Sequence, residues 1–269
     1  MAEINLSLII FTLCIGLCAG TFTYFALWQM NNGLSGTQQK LAFKVMCVLL
    51  ICLAIAMLAS ATHLGKPMRF LNAFRNPGSM IAQEGLWSIG LGIILLVSVF
   101  LAYGGKKIPK LVYVLGGLVS FGLIFVCSMV YVKATGYPAW SSGATIVYYF
   151  GSAILLGAAG MYLISAQIND NTAIKKMSLV ALVALFFQVI ATVAFTIHLR
   201  FGVVDVVLPA TIGIEILRWL VGLIAPAIIA YLTWTGKFAG KNAAWSFLAC
   251  VLAGEIISRF IFFLQGVHL

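Results

Sequence analysis

The chain has 269 residues, of which 63% are hydrophobic and 8% charged, with a mean hydropathy of +1.11. A soluble domain carries about 25% charged residues, so that class is excluded and an integral membrane protein is implied. Sixteen Lys and Arg against six Asp and Glu give a net charge of +10; the basic residues lie between apolar runs, where they act as topology signals rather than as a nucleic-acid patch.

Crossing ~30 Å of hydrocarbon takes about 20 apolar residues. Runs of that length fall near Asn5 to Met30, Gln38 to Thr62, Ile81 to Tyr103, Leu111 to Ala134, Ser142 to Gln167, Ala173 to Leu199, Leu208 to Thr235 and Ala243 to Val267. They predict an all-α integral membrane protein of eight transmembrane helices, a single membrane domain over 1–269 with no room for a soluble catalytic domain. No basic residue precedes the first run, so a cleaved signal peptide is not expected and the first span stays. The even-numbered connections hold Lys66, Arg69, Arg75, Lys133 and Arg200, whereas the odd-numbered ones hold Lys40, Lys44, Lys106, Lys107, Lys110, Lys175, Lys176, Lys237 and Lys241. The positive-inside bias then puts the odd connections in the cytoplasm and both termini outside.

The six cysteines all lie within apolar runs and none has the C-x-x-C spacing of a metal site, so they read as small packing residues. A weak internal repeat relates 1–135 to 136–269. His63-Leu64 recurs as His198-Leu199, Glu84 with Trp87 as Glu215 with Trp219, and Ala19-Gly20 as Ala159-Gly160. One reading is a parallel 4+4 duplication about an axis along the membrane normal; chance similarity between apolar helices is the other.

Charge inside a bilayer is costly, so intramembrane ionisable residues carry most of the functional information. Glu84 lies at the start of the third span, Glu215 and Arg218 in the seventh, Glu255 and Arg259 in the eighth. The last two pairs have i,i+3 and i,i+4 spacing, which predicts ion pairs along one helix face, structural or functional. With His63 and His198 ending the second and sixth spans, the polar groups gather toward the outer side. The inner half is nearly free of buried charge, which argues against a through-going channel or pump. Between His63 and Ser79, Pro67 is placed to open a short interfacial helix with Phe70, Leu71 and Phe74 on one face. Asn76-Pro77-Gly78 would end it.

The segment ASATHLGKPMRFLNAFRNPGS over 59–79, with its H-L-G-x-P-x-R core, resembles the membrane anchor subunit of bacterial dimethyl sulfoxide reductase. So do Tyr-Pro-Ala-Trp at 137–140 and GEIISR at 254–259. The resemblance implies a subunit of the bacterial inner membrane that oxidises menaquinol in anaerobic respiration. Its partners would be a four-cluster ferredoxin-like iron–sulfur subunit and a molybdopterin catalytic subunit, with no haem, metal or iron–sulfur cluster in this chain. In that family the histidine of H-L-G-x-P and a carboxylate at the start of the third helix are associated with quinol binding, which here are His63 and Glu84. The chemistry agrees: quinol oxidation releases two protons with two electrons, and an imidazole and a partly buried carboxylate can each accept one. His63 and Glu84 are therefore the expected catalytic pair. Arg69, Arg75, Glu215, Arg218, Glu255 and Arg259 complete the expected quinol-binding set, although Arg69 and Arg75 could equally dock an acidic partner surface.

Three other readings stay open at this level. His63 and His198 could ligate a haem, although both sit at helix exits. A transporter with no redox role would also use midmembrane charge and many glycines. A bare anchor, with quinol chemistry elsewhere, would share the same small residues and interfacial tryptophans.

Overall fold

A computed structural model describes residues 6–32, 36–63, 75–168, 171–203, 206–238 and 240–269. Eight helices among them are long and apolar enough to cross a membrane, and no strand occurs among the described residues. They are α1 (Leu6–Asn32), α2 (Gly36–His63), α3 (Met80–Tyr103), α4 (Lys110–Val132), α5 (Gly143–Gln167) and α6 (Asn171–Ile197, prolonged by a π-turn His198–Gly202). The last two are α7 (Ile212–Trp219, continuing through a π-turn Leu220–Ile224 into Ala225–Trp234) and α8 (Lys241–Leu264). Helices are the form in which a single segment satisfies its own backbone in lipid.

Local chemistry sets several of the ends. Ser79 accepts the Ala82 N–H at 3.1 Å to cap α3, and Gly105 and Gly236 take up positive φ in the turns after α3 and α7. The predicted interfacial helix lies outside the described residues, but the Asn76-Pro77-Gly78 turn is present and closes through Ser79 N–H to Asn76 O at 3.0 Å. Within α7, Pro226 has no N–H and its ring crowds the carbonyl four residues back; the π-turn just before it takes up that misfit.

The helices pack as two groups of four. α1, α2, α3 and α4 each touch the next, and α4 returns to α1; α5, α6, α7 and α8 repeat that order, with α8 returning to α5. The groups meet through α1 against α5, flanked by α4 against α5 and α8 against α1. Glycine makes the central crossing possible. A Cβ on Gly20 would lie 2.2 Å from the Ala153 carbonyl, and one on Gly157 would lie 2.5 Å from the Gly20 backbone. This close approach of small residues replaces the hydrophobic driving force that lipid does not supply. α7 and α8 repeat the device, Gly222 against Gly254.

Among the described residues, one face of the bundle carries the start of α1, the last residues after α8 and the ends of α2, α4 and α6. Ser7 near the start of α1 accepts from Thr62 at the end of α2 (3.2 Å), and the last residue, Leu269, donates its N–H to Gly136 O at 2.9 Å. We call this the even face. The thiols behave as packing groups: all six are free, with Cys18 against the Leu49 carbonyl and Cys52 against the Cys14 carbonyl.

Candidate functional site

The polar interior is built from all four helices of the second group. Glu255, 3% exposed on α8, accepts from Ser152 Oγ of α5 at 2.5 Å and from Gln188 Nε2 of α6 at 2.8 Å. Arg259, one turn further along α8 and 1% exposed, donates to the same Ser152 Oγ at 2.8 Å. Its guanidinium lies 4.2 Å from the Tyr149 ring centroid and 5.5 Å from that of Tyr148, both α5 residues, so the cation is balanced by π-faces as well as charge. Tyr148 donates to the Ser258 carbonyl at 2.9 Å and shares a short hydrogen bond with the Ser258 hydroxyl. Arg218 of α7, also buried, is near enough to act on both Glu255 and Tyr148.

The expected ion pairs take a different form. Glu255 and Arg259 meet through Ser152 Oγ, not through a direct salt bridge. Glu215 accepts from Thr211 at 2.5 Å rather than from Arg218. Helical spacing places two side chains on one face but does not stop a neighbouring helix from inserting a hydroxyl between them, and here α5 does so.

A second polar chain leads from this cluster into the first group. Cys127 and Tyr131 of α4 interact with both groups: Cys127 with Glu84 of α3 and with Arg259, and Tyr131 with Glu84 and, through its hydroxyl, with Tyr149. Glu84 itself approaches the Cys127 thiol, while its Oε1 is buried without a hydrogen-bond partner. Trp87, one turn along α3, fits the space over Gly122, where a Cβ would lie 2.3 Å from the indole. That fit fixes α3 against α4 close to the Glu84 level. Tyr131 stands at the seam of the two groups, stacked on Tyr149 at 5.5 Å and edge-on to Trp140 and Phe262.

Toward the even face the aromatic packing continues. Trp140 stacks on Tyr137 and Phe262 and donates its Nε1–H to the Phe262 carbonyl at 2.8 Å. His198 reaches the Pro138 carbonyl through Nε2 at 3.1 Å. Beside it a cleft of about 310 Å³ opens between the end of α6 and the start of α7, with Glu215, Thr211 and Gln265 in its wall. Gln265 donates to Thr211 Oγ1 at 3.0 Å and to the Pro209 carbonyl at 3.2 Å.

Of the eight expected site residues, the structure joins Glu255 and Arg259 in one hydrogen-bonded network, sets Arg218 within electrostatic reach of it, and brings Glu84 into interaction with Cys127 and Tyr131 beside it. Glu215 sits one turn above Arg218 at the cleft. Arg75 is exposed in the turn before α3. His63 is the last residue of α2, but its side chain and the whole of Arg69 lie outside the described residues. Sequence reasoning passed over Ser152, Gln188, Tyr148, Tyr149, Cys127 and Tyr131. The available signal for Ser152 and Gln188 was a polar side chain in the middle of an apolar run; for Tyr148 and Tyr149 it was their position in the turns that follow Tyr-Pro-Ala-Trp.

The sequence matches the family described as DMSO reductase anchor subunit (DmsC) over residues 1–265. It is 27% identical over 284 aligned residues to the C subunit of the anaerobic dimethyl sulfoxide reductase of Escherichia coli (strain K12), an alignment that covers 97% of this protein and 94% of that one. It is 26% identical over 244 residues to the YnfH subunit of anaerobic dimethyl sulfoxide reductase from the same organism, covering 83% of this protein and 81% of that one.

Proposed function

The chain belongs to the DMSO reductase anchor subunit (DmsC) family, and from that premise we propose that it oxidises menaquinol in the bacterial inner membrane. As an anchor of that family it is a multi-pass membrane protein and part of an oxidoreductase complex with catalytic and iron–sulfur partner subunits. In the proposed reaction the quinol gives up two electrons and two protons. The electrons pass to a ferredoxin-like iron–sulfur subunit, which feeds a molybdopterin subunit where the terminal acceptor is reduced.

The observation that carries this reading is the orphaned Oε1 of Glu84, a buried carboxylate oxygen near the even face with no hydrogen-bond partner. A buried acceptor left unpaired costs free energy, and a quinol hydroxyl supplies the donor it lacks. In this scheme Glu84 accepts one hydroxyl proton and His63, at the end of the adjacent α2, accepts the other. The even face is the outer side, as the lysine distribution favours, and the partners dock there because electrons then leave close to the quinol. Arg69 and Arg75 serve that docking or steady developing negative charge. The two four-helix groups are read as a parallel duplication with halves 1–135 and 136–269, supported by their matching packing order. Family membership favours quinol oxidation over the transporter reading.

The test uses the assembled complex with His63→Arg and Glu84→Gln. Each should lose quinol oxidation by ~100-fold or more while a reduced viologen, which delivers electrons directly to the partner subunits, still drives reduction of the acceptor. Unchanged quinol turnover in both variants overturns the assignment.

A further inference from the structure

Around Glu255 and Arg259 the second helix group leaves several strongly polar, deeply buried side-chain atoms without a hydrogen bond. Arg259 Nε and Nη1, Arg218 Nε, Gln188 Oε1 and Gln265 Oε1 are all buried without a partner. Every one of these residues is at least nine-tenths buried. Native interiors leave few such groups unsatisfied, and unsatisfied guanidinium and amide atoms beside a buried carboxylate are the mark of internal water or of a polar ligand.

Their vertical order is informative. Gln265, with Thr211 and Glu215, lies at the even-face cleft. Arg218 is three residues below Glu215, about 4.5 Å along the helix; Arg259 is six residues below Gln265, about 9 Å, and Glu255 ten residues below it, about 15 Å. The polar groups thus descend from an open mouth to the middle of the bilayer. There they stop, because below Glu255 the α7–α8 crossing is closed by Gly222 against Gly254, two backbones in contact.

We propose that the second helix group holds a hydrated half-channel running from the Thr211–Glu215–Gln265 cleft down to Glu255. Through Tyr149, Tyr131 and Cys127 it connects to Glu84 and carries protons from there to the even face. This rests on the quinol-oxidising reading. It moves Glu215, Arg218 and Glu255 from quinol contact to proton handling. The step is a proton relay alone: Glu84 gives up the proton taken from the quinol, water and hydroxyl groups pass it to Glu255, and Glu255 releases it toward Glu215 and the bulk. No electron moves along this path. Glu255 faces Ser152 from α5, Gln188 from α6, Arg218 from α7 and Arg259 on its own helix. The two cations offset the carboxylates Glu255 and Glu84, so the path is electrically balanced despite its depth.

Two measurements test it on the intact complex in lipid nanodiscs. Radiolytic hydroxyl labelling reads internal water without any quinol: Tyr148 and Phe262, 1% and 0% exposed, should be oxidised, whereas Phe22, equally buried in the α1 core, should not. Absence of label at Tyr148 and Phe262 overturns the water path, whatever the fate of the quinol site. Turnover is the second readout. Glu255→Gln should lower kcat for quinol at least tenfold with the affinity for a quinol-analogue inhibitor within twofold, and Glu255→Asp should recover most of the rate. Loss of inhibitor binding in Glu255→Gln would make the cluster part of the quinol pocket, and unchanged kcat would make it structural; either overturns the half-channel. Full turnover in Glu84→Gln would instead refute the quinol assignment, leaving the labelling result to stand alone.

Discussion

Replacing Arg259 by methionine tests the buried charge network most directly. The guanidinium is 1% exposed, donates to Ser152 Oγ at 2.8 Å and lies 4.2 Å over the Tyr149 ring. Losing a hydrogen bond to a charged group costs about 1.5–3 kcal/mol, and a desolvated cation–π contact is worth about 2 kcal/mol. Together these match the about 3–5 kcal/mol expected when one member of a buried ionic set is removed and its counter-charge, here Glu255, is stranded. Methionine preserves most of the volume, so little of the cost is cavity. In Glu255→Gln/Arg259→Met neither charge remains, and the glutamine amide can still meet Ser152 and Gln188. The double variant should therefore be less destabilised than the sum of the singles by about 2 kcal/mol. The assay is detergent-titrated equilibrium unfolding of the purified complex, completed as a double-mutant cycle. Additive losses would refute the argument that Glu255 and Arg259 compensate each other through Ser152.

Ser152→Ala should destabilise by about 1–3 kcal/mol in the same assay, since it leaves both Arg259 and Glu255 short of a partner. Gly20→Leu should block assembly, because its Cβ meets the Ala153 carbonyl at 2.2 Å and backbone cannot yield. Gly117→Ala, with open space at that position, should give a normal yield of complex on native gels. Trp140→Ala should lower the thermal midpoint by an amount equivalent to about 3–5 kcal/mol. It removes the 2.8 Å bond to Phe262 and empties the space beside Gly266.

Much of the fold was legible because lipid simplifies the problem: a segment in hydrocarbon must satisfy its own backbone, so length and apolarity locate the eight spans to within a few residues. Glu255 and Arg259 were likewise visible as charges out of place. Their relation to each other was not, because it depends on Ser152 of α5 arriving between them, a contact separated by more than 100 residues in the chain.

The sequence by itself determined that the chain is a helical membrane protein, where its spans begin and end, and which ionisable residues cannot be ordinary surface groups. It also carried the family, in the H-L-G-x-P-x-R segment. Only the tertiary structure decided which helices touch, that α1 and α5 cross at glycine backbones, and that Glu84 connects through Tyr131 and Tyr149 to the charges of the other group. The physical reason lies in the period of the helix. It fixes which side chains share a face, but the partner that face receives is chosen by packing between helices, and in lipid that choice rests on small residues and buried hydrogen bonds that leave no periodic trace.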